Sequence, residues 1–89
     1  MTRTDIEAEI IRIFMEGFEI AQPEPDDNLR DKYQFDSIDA IELLVAIEQF
    51  LGSELTQTEK KRAMDIRSLR QVFDYVETLA RQRRLFVEG

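Results

Sequence analysis

Cysteine and histidine are both missing from the 89-residue chain. The first absence excludes a disulfide framework, a thiolate nucleophile and a sulfur-ligated zinc site, and the second removes the usual general base at neutral pH. No nucleophile-activating pair or metal cluster is legible either, so the chain is expected not to be an enzyme in its own right. Apolar runs long enough to span a membrane are also lacking, and the start, MTRTDIEAEI, has no continuous apolar core of the signal-peptide kind, which makes a cytoplasmic location the expectation. A net charge of -7 argues against nucleic acid, whose phosphates would be repelled, and favours a partner with a basic surface.

The chain is long enough for a single domain, residues 1–89, that buries roughly two-thirds of its unfolded surface, but too short for a deep catalytic cleft with a lid. Its charge is uneven: residues 1–51 carry -9 and residues 52–89 carry +2. The acidic surface therefore belongs to the first half.

Hydrophobic spacing reads as helices with one long connection. Thr4 and Glu7 form a capping-box pattern, and Ile6, Ile10, Ile13, Phe14 and Phe18 recur at helical intervals, predicting a first helix over about residues 5–20. In the following AQPEPDDNLRDKYQF two prolines and a polar run oppose regular structure, while Leu29, Tyr33 and Phe35 are placed to anchor the loop on a core. A second helix fits residues 37–51 and ends at Gly52. Thr56 and Glu59 repeat the capping pattern and open a short third helix with Lys60, Lys61 and Arg62 toward its negative end. Asp65 can cap a fourth helix in which Ile66, Leu69, Val72, Phe73, Val76, Leu79 and Ala80 share a face. The expected architecture is all-α: a small four-helix bundle over about residues 5–82, with a long loop between helices 1 and 2, a short third helix, and a frayed tail at 83–89.

The second predicted helix has more apolar residues than one face needs. At about 100° per residue, Ala40, Leu43, Leu44, Ile47, Phe50 and Leu51 make a core arc, whereas Ile38, Ile41 and Val45 fall on nearly the opposite side. Flanked by Asp39, Glu42, Glu48 and Gln49, that second stripe is a candidate docking patch with an acidic rim. Burial of the helix on both sides is the alternative, and an acidic rim disfavours it.

Ser37 lies at the start of this helix. A serine there is ordinarily a cap, but Asp36 can cap in its place, with Asp39 three residues later completing a capping box. Ser37 then becomes the first helical residue, with a hydroxyl not needed for capping. The helix N-terminus favours a phosphate ester, and the two flanking carboxylates favour a singly charged phosphodiester over a phosphoserine dianion.

The order of elements, the long loop and the motif DSIDAIELLVAIE resemble the acyl carrier protein family over about residues 5–82. The resemblance implies a non-catalytic carrier with 4'-phosphopantetheine, derived from coenzyme A, esterified to Ser37 by a phosphopantetheinyl transferase. Acyl groups of fatty-acid, lipid or polyketide-type biosynthesis would ride on its thiol, so that the missing cysteine is supplied by the cofactor. It also implies roles for Asp36 and Asp39 as acids read by the enzymes, for Ile38, Ile41 and Val45 as apolar docking positions, and for Glu42 and Glu48 as salt-bridging acids. The implied partners are the transferase and acyl-handling enzymes such as ketosynthases and acyltransferases with basic docking surfaces. A monomer suits this shuttling role, and an interior lined by Phe14, Leu43, Ile47 and Phe73 is expected to open for an acyl chain.

Two departures from the family pattern stand out. Gln34 and Phe35 replace the glycine and small residue common before the motif, and the third helix reads TEKKRAM where the family is typically acidic. A specialised carrier with dedicated partners is the reading these favour. A peptidyl or aminoacyl carrier would share the fold and cofactor, although FDSID leans toward acyl cargo. An unmodified helical interaction module would use the stripe alone. The acids of PDDNLRD lack the spacing, central glycine and terminal glutamate of an EF-hand, and a calcium site is rejected.

Overall fold

The computed structural model describes residues 1–88. Five helices follow in order: α1 Arg3–Phe18, α2 Leu29–Tyr33, α3 Ser37–Leu51, α4 Gln57–Ala63 and α5 Leu69–Gln82. Among the described residues there is no strand, and no helix is long and apolar enough to cross a membrane. The all-α bundle is thus as expected, with one helix more than the four expected from periodicity.

That extra helix lies inside the long connection. Asn28 caps it by accepting from Asp31 N–H at 3.0 Å, and Gln34 closes it in the left-handed conformation with φ 57°. The rest of the connection is fastened to the start of α5: Leu29 N–H donates to Arg67 O at 2.8 Å, Arg70 N–H to Pro25 O at 2.9 Å, and the Arg70 guanidinium pairs with Asp26 at 2.7 Å. Two prolines prevent a long helix here but not one helical turn between them and Asp36.

Two of the expected helix starts are corrected. α1 is capped by Thr2, not Thr4: Thr2 Oγ1 accepts from Asp5 N–H while Asp5 accepts from Thr2 N–H, a complete box two residues earlier. Glu7 instead pairs with Arg3, which also reaches Asp74 and Glu77 on α5. α5 is capped by Ser68, not Asp65, because Gln71 returns the bond to Ser68 N–H and completes a box that Asp65 lacks. Ile66 therefore packs on the core from the α4–α5 turn.

The core forms where α1 and α5 meet, with α3 laid against α1. Ile6, Ile10, Phe14, Ile47, Leu69, Val72 and Val76 are fully buried there. Fully burying one such side chain contributes about 1.5–3 kcal/mol. Phe35 turns inward between Phe14 and Phe18, with ring centroids 5.6 and 5.3 Å away, so the unusual residue before the motif becomes part of the core's edge.

The tail differs from the frayed segment expected. Leu85 N–H donates to Ala80 O and Val87 N–H to Met1 O, while Phe86 packs beneath the Arg81 guanidinium at 4.2 Å. Residues 83–88 are thereby returned to the body of the bundle, and Gly89 lies outside the described residues.

Candidate functional site

α3 begins as its sequence predicts. Asp36 Oδ1 accepts from Ile38 N–H at 3.0 Å and Asp39 N–H at 2.9 Å, and Asp39 Oδ2 accepts from Asp36 N–H at 3.1 Å. Both carboxylates are spent on the helix terminus, and Ser37 is left as the first helical residue, exposed to solvent. Its hydroxyl makes no hydrogen bond among the described residues. The other two serines are engaged: Ser53 Oγ accepts from Arg83 Nε and Ser68 Oγ caps α5.

Ser37 stands at the edge of an apolar groove of about 330 Å³ between α3 and α4. Ala40, Leu43, Leu44 and Ile47 line it from α3, Ala63 and Met64 from the end of α4, and Phe35 from the loop. Of the residues expected to line an acyl-sheltering interior, Leu43 and Ile47 do so. Phe14 and Phe73 do not: Phe14 is fully buried in the core with Phe73 nearly so, and neither borders the groove.

Along the outer side of α3, Ile38, Ile41 and Val45 are 66%, 63% and 47% exposed, which removes the alternative of a helix buried on both sides. Glu42 is exposed beside them. Glu48 is different: its Oε2 accepts from Leu55 N–H at 2.8 Å, so this acid closes the α3–α4 turn and is half-buried. The structure therefore gathers Asp36, Ser37, Ile38, Asp39, Ile41, Glu42 and Val45 on one end and side of α3 and sets Glu48 apart.

Sequence reading missed what holds the opposite wall. Glu59 on α4 accepts Arg83 Nη2 and Nη1 at 2.7 and 2.8 Å, and Tyr75 donates its hydroxyl to Glu59 O at 2.7 Å. The guanidinium, with help from the Thr56 cap, holds the Glu59 carboxyl down to about 2. Burial, reinforced by the Glu59 charge, pushes the Tyr75 phenol up to about 12. Thr56 and Glu59 are legible as a cap, but nothing in local sequence connects Glu59 with Arg83, 24 residues away.

The family described as phosphopantetheine attachment site matches residues 8–76, which contain α3 and the groove. The chain belongs to the acyl carrier protein family. Among its relatives is Acyl carrier protein 2 of Ralstonia nicotianae (strain ATCC BAA-1114 / GMI1000), 32% identical over 81 residues that cover 89% of this chain and 96% of that protein. The prosthetic group of an acyl carrier protein is 4'-phosphopantetheine, and the residues present fit it: a free hydroxyl, exposed, at a helix N-terminus and beside an apolar groove.

Proposed function

We propose that this acyl carrier protein bears its 4'-phosphopantetheine arm on Ser37 and shuttles acyl intermediates between enzymes of fatty-acid, lipid or polyketide-type biosynthesis. The observation that carries the reading is the unbonded, exposed Ser37 hydroxyl set within a capping box that does not need it. When bound, the arm supplies a thiol that holds acyl groups as thioesters.

The chain's own residues prepare the acceptor. Asp36 and Asp39 fix the first turn of α3, so Ser37 is presented in one backbone geometry to a phosphopantetheinyl transferase acting with coenzyme A. The hydroxyl oxygen forms the new bond to phosphorus as the pyrophosphate link of coenzyme A breaks and adenosine 3',5'-bisphosphate leaves, and the hydroxyl proton passes to a base on the transferase, the carboxylates of Asp36 and Asp39 being engaged in the capping box. Asp36, Asp39 and Glu42 would draw in the basic surfaces of the transferase and of acyl-handling enzymes such as ketosynthases and acyltransferases, while Ile38, Ile41 and Val45 give the short-range contact. A carrier of this kind works as a cytoplasmic monomer that leaves each partner after delivery.

The test is intact mass after incubation with coenzyme A and a broad-specificity transferase. The parent is expected to gain one phosphopantetheine and Ser37→Ala none. A folded parent that gains nothing, beside a control carrier that does, overturns the assignment.

A further inference from the structure

Six of the twelve cations of this chain, Arg30, Lys60, Lys61, Arg62, Arg67 and Arg84, have no carboxylate partner among the described residues, and three of those six gather at one place. Arg3, Arg12, Lys32, Arg70, Arg81 and Arg83 all form ion pairs. Arg30, Lys60 and Arg67 form none among the described residues, and all three line the groove beside Ser37. Arg67 is held in place over the end of α4, its Nη1 donating to Met64 O at 2.7 Å and to Ile66 O at 3.0 Å, which leaves Nε and Nη2 unengaged among the described residues. Lys60 stands one helical turn before Met64 on the same side of α4. The carboxylate at the groove, that of Asp36, is already occupied by two backbone N–H groups of α3.

An apolar groove rimmed by unpaired cations discriminates between ligands. Arg30 and Arg67 are exposed and Lys60 is half-buried, so a wholly apolar chain lying in the groove would cover part of the hydrated surface of these cations and offer them no partner in return. A chain that ends in an anion gains the same apolar contact and also supplies the missing counter-charge through charge-assisted hydrogen bonds, the rigid guanidinium fork being suited to a carboxylate. The same cations therefore select for one class of cargo and against another.

We infer that the α3–α4 groove is adapted to acyl groups bearing a terminal anion, such as the half-thioesters of dicarboxylic acids, with Lys60 and Arg67 as the residues that receive the far carboxylate. This rests on Ser37 being the attachment point. It gives the basic α4 a purpose within the carrier: the cations serve cargo selection at the groove, whatever further contacts Lys61 and Arg62 make on the outer surface.

The test uses the full chain loaded by a broad-specificity transferase with coenzyme A, octanoyl-coenzyme A or suberyl-coenzyme A, the last two sharing an eight-carbon chain. Cleavage of each thioester by hydroxylamine and the backbone amide shifts of residues 60–67 are then measured at low and high salt. The suberyl thioester is expected to be cleaved about fivefold more slowly than the octanoyl one at low salt, the size of a good partly exposed charge contact, with the difference shrinking at high salt. The combined Lys60→Gln and Arg67→Gln variant should lose the difference, and Lys61→Gln, which does not border the groove, should keep it. Equal cleavage, or a difference that survives in the double variant, overturns the inference. Shifts at 60–67 already complete in the protein carrying the bare arm would assign the cations to the arm's phosphodiester and overturn it as well. Failure of Ser37 to load at all, seen by mass, removes the attachment assignment itself, a separate result from loading without discrimination.

Discussion

Arg83 and Glu59 meet through both carboxylate oxygens, at 2.7 and 2.8 Å, and join the short α4 to the end of α5. Every N–H of the guanidinium is used: the remaining three donate to Ser53 Oγ, Leu79 O and Glu54 O. The pair is largely buried, with side chains 15% and 12% exposed. Removing one member leaves the other desolvated and alone, so Arg83→Met and Glu59→Gln are each expected to lower stability by about 2–4 kcal/mol. Chemical denaturation of each variant checks this, and a loss below about 0.5 kcal/mol, the range of ordinary surface substitutions, would reduce the pair to a surface contact.

The same pair sets an acid limit. The Glu59 carboxyl is held at about 2 in the folded protein against an ordinary value of 4.5. A lowered folded value means the unfolded state binds the proton more readily. The contribution is therefore fully present above pH 4.5 and is lost as the pH falls from there toward 2. Asp5, Glu9 and Asp26 are shifted the same way by the Thr2 cap and by Arg12 and Arg70, and act in the same acid range. Unfolding free energy measured from pH 6 down to pH 2 should fall in the parent, with Glu59→Gln showing a drop smaller by about 2 kcal/mol after allowance for solvent screening. Parallel curves for parent and variant would remove Glu59 as a source of the acid sensitivity.

Stability and modification should separate at the motif. The Ser37 hydroxyl bonds to nothing among the described residues, whereas Asp36 accepts two N–H groups. Ser37→Ala is expected to keep the parent's denaturation midpoint while abolishing the mass gain, and Asp36→Ala to cost about 1 kcal/mol as a lost N-cap. A Ser37→Ala protein destabilised by as much as Asp36→Ala would show that the hydroxyl has a structural duty.

Much of this was readable from order and spacing alone. The Asp36–Asp39 box, the exposed Ile38, Ile41 and Val45, and the core arc of α3 all follow from a period of 3.6 residues and from cap chemistry, which are local properties. The caps of α1 and α5 were misplaced by two or three residues because two patterns compete at each start, and the choice between Thr2 and Thr4 depends on what Arg3 and Glu7 do across the bundle. α2 was hidden by its prolines and its five-residue length, although Asn28 followed by Asp31 is a cap signal in plain sight. The basic character of α4 is plain in the sequence, but the groove, the gathering of Lys60 with Arg30 and Arg67 around it, and the Arg83–Glu59 pair are not, because they join segments distant in sequence.

Docking and folding should also divide along α3. Ile41 is 63% exposed and Glu48 is tied to Leu55 N–H. Ile41→Ala is expected to leave stability within about 0.5 kcal/mol, as for an exposed position, and to reduce kcat/KM for arm attachment about tenfold, the equivalent of about 1.4 kcal/mol of lost contact. Glu48→Gln should show the reverse, a stability loss of about 1 kcal/mol from the weakened turn bond with kcat/KM near that of the parent. Steady-state kinetics with one transferase would decide, and a larger kinetic loss in Glu48→Gln would restore that acid to the docking surface.

The residue pair before the motif makes the last separation. Gln34 takes the left-handed turn with φ 57° that a glycine would take without strain, and this turn aims Phe35 at Phe14 and Phe18. Phe35 also borders the groove and donates its N–H to Leu29 O, so it couples the α2 loop to the place where Ser37 is presented. Replacing it by alanine removes a half-buried ring and its edge-on contact, expected to cost about 2–3 kcal/mol, less than truncation of a fully buried aromatic because the ring is only half-buried. Phe35→Leu keeps most of the apolar volume and should cost about 1 kcal/mol. Since the Asp36–Asp39 box holds α3 independently, the helix content should stay unchanged while amide hydrogen exchange accelerates over residues 29–36. If exchange accelerates equally through α3 in Phe35→Ala, the aromatic cluster and not the cap is what holds the serine in place.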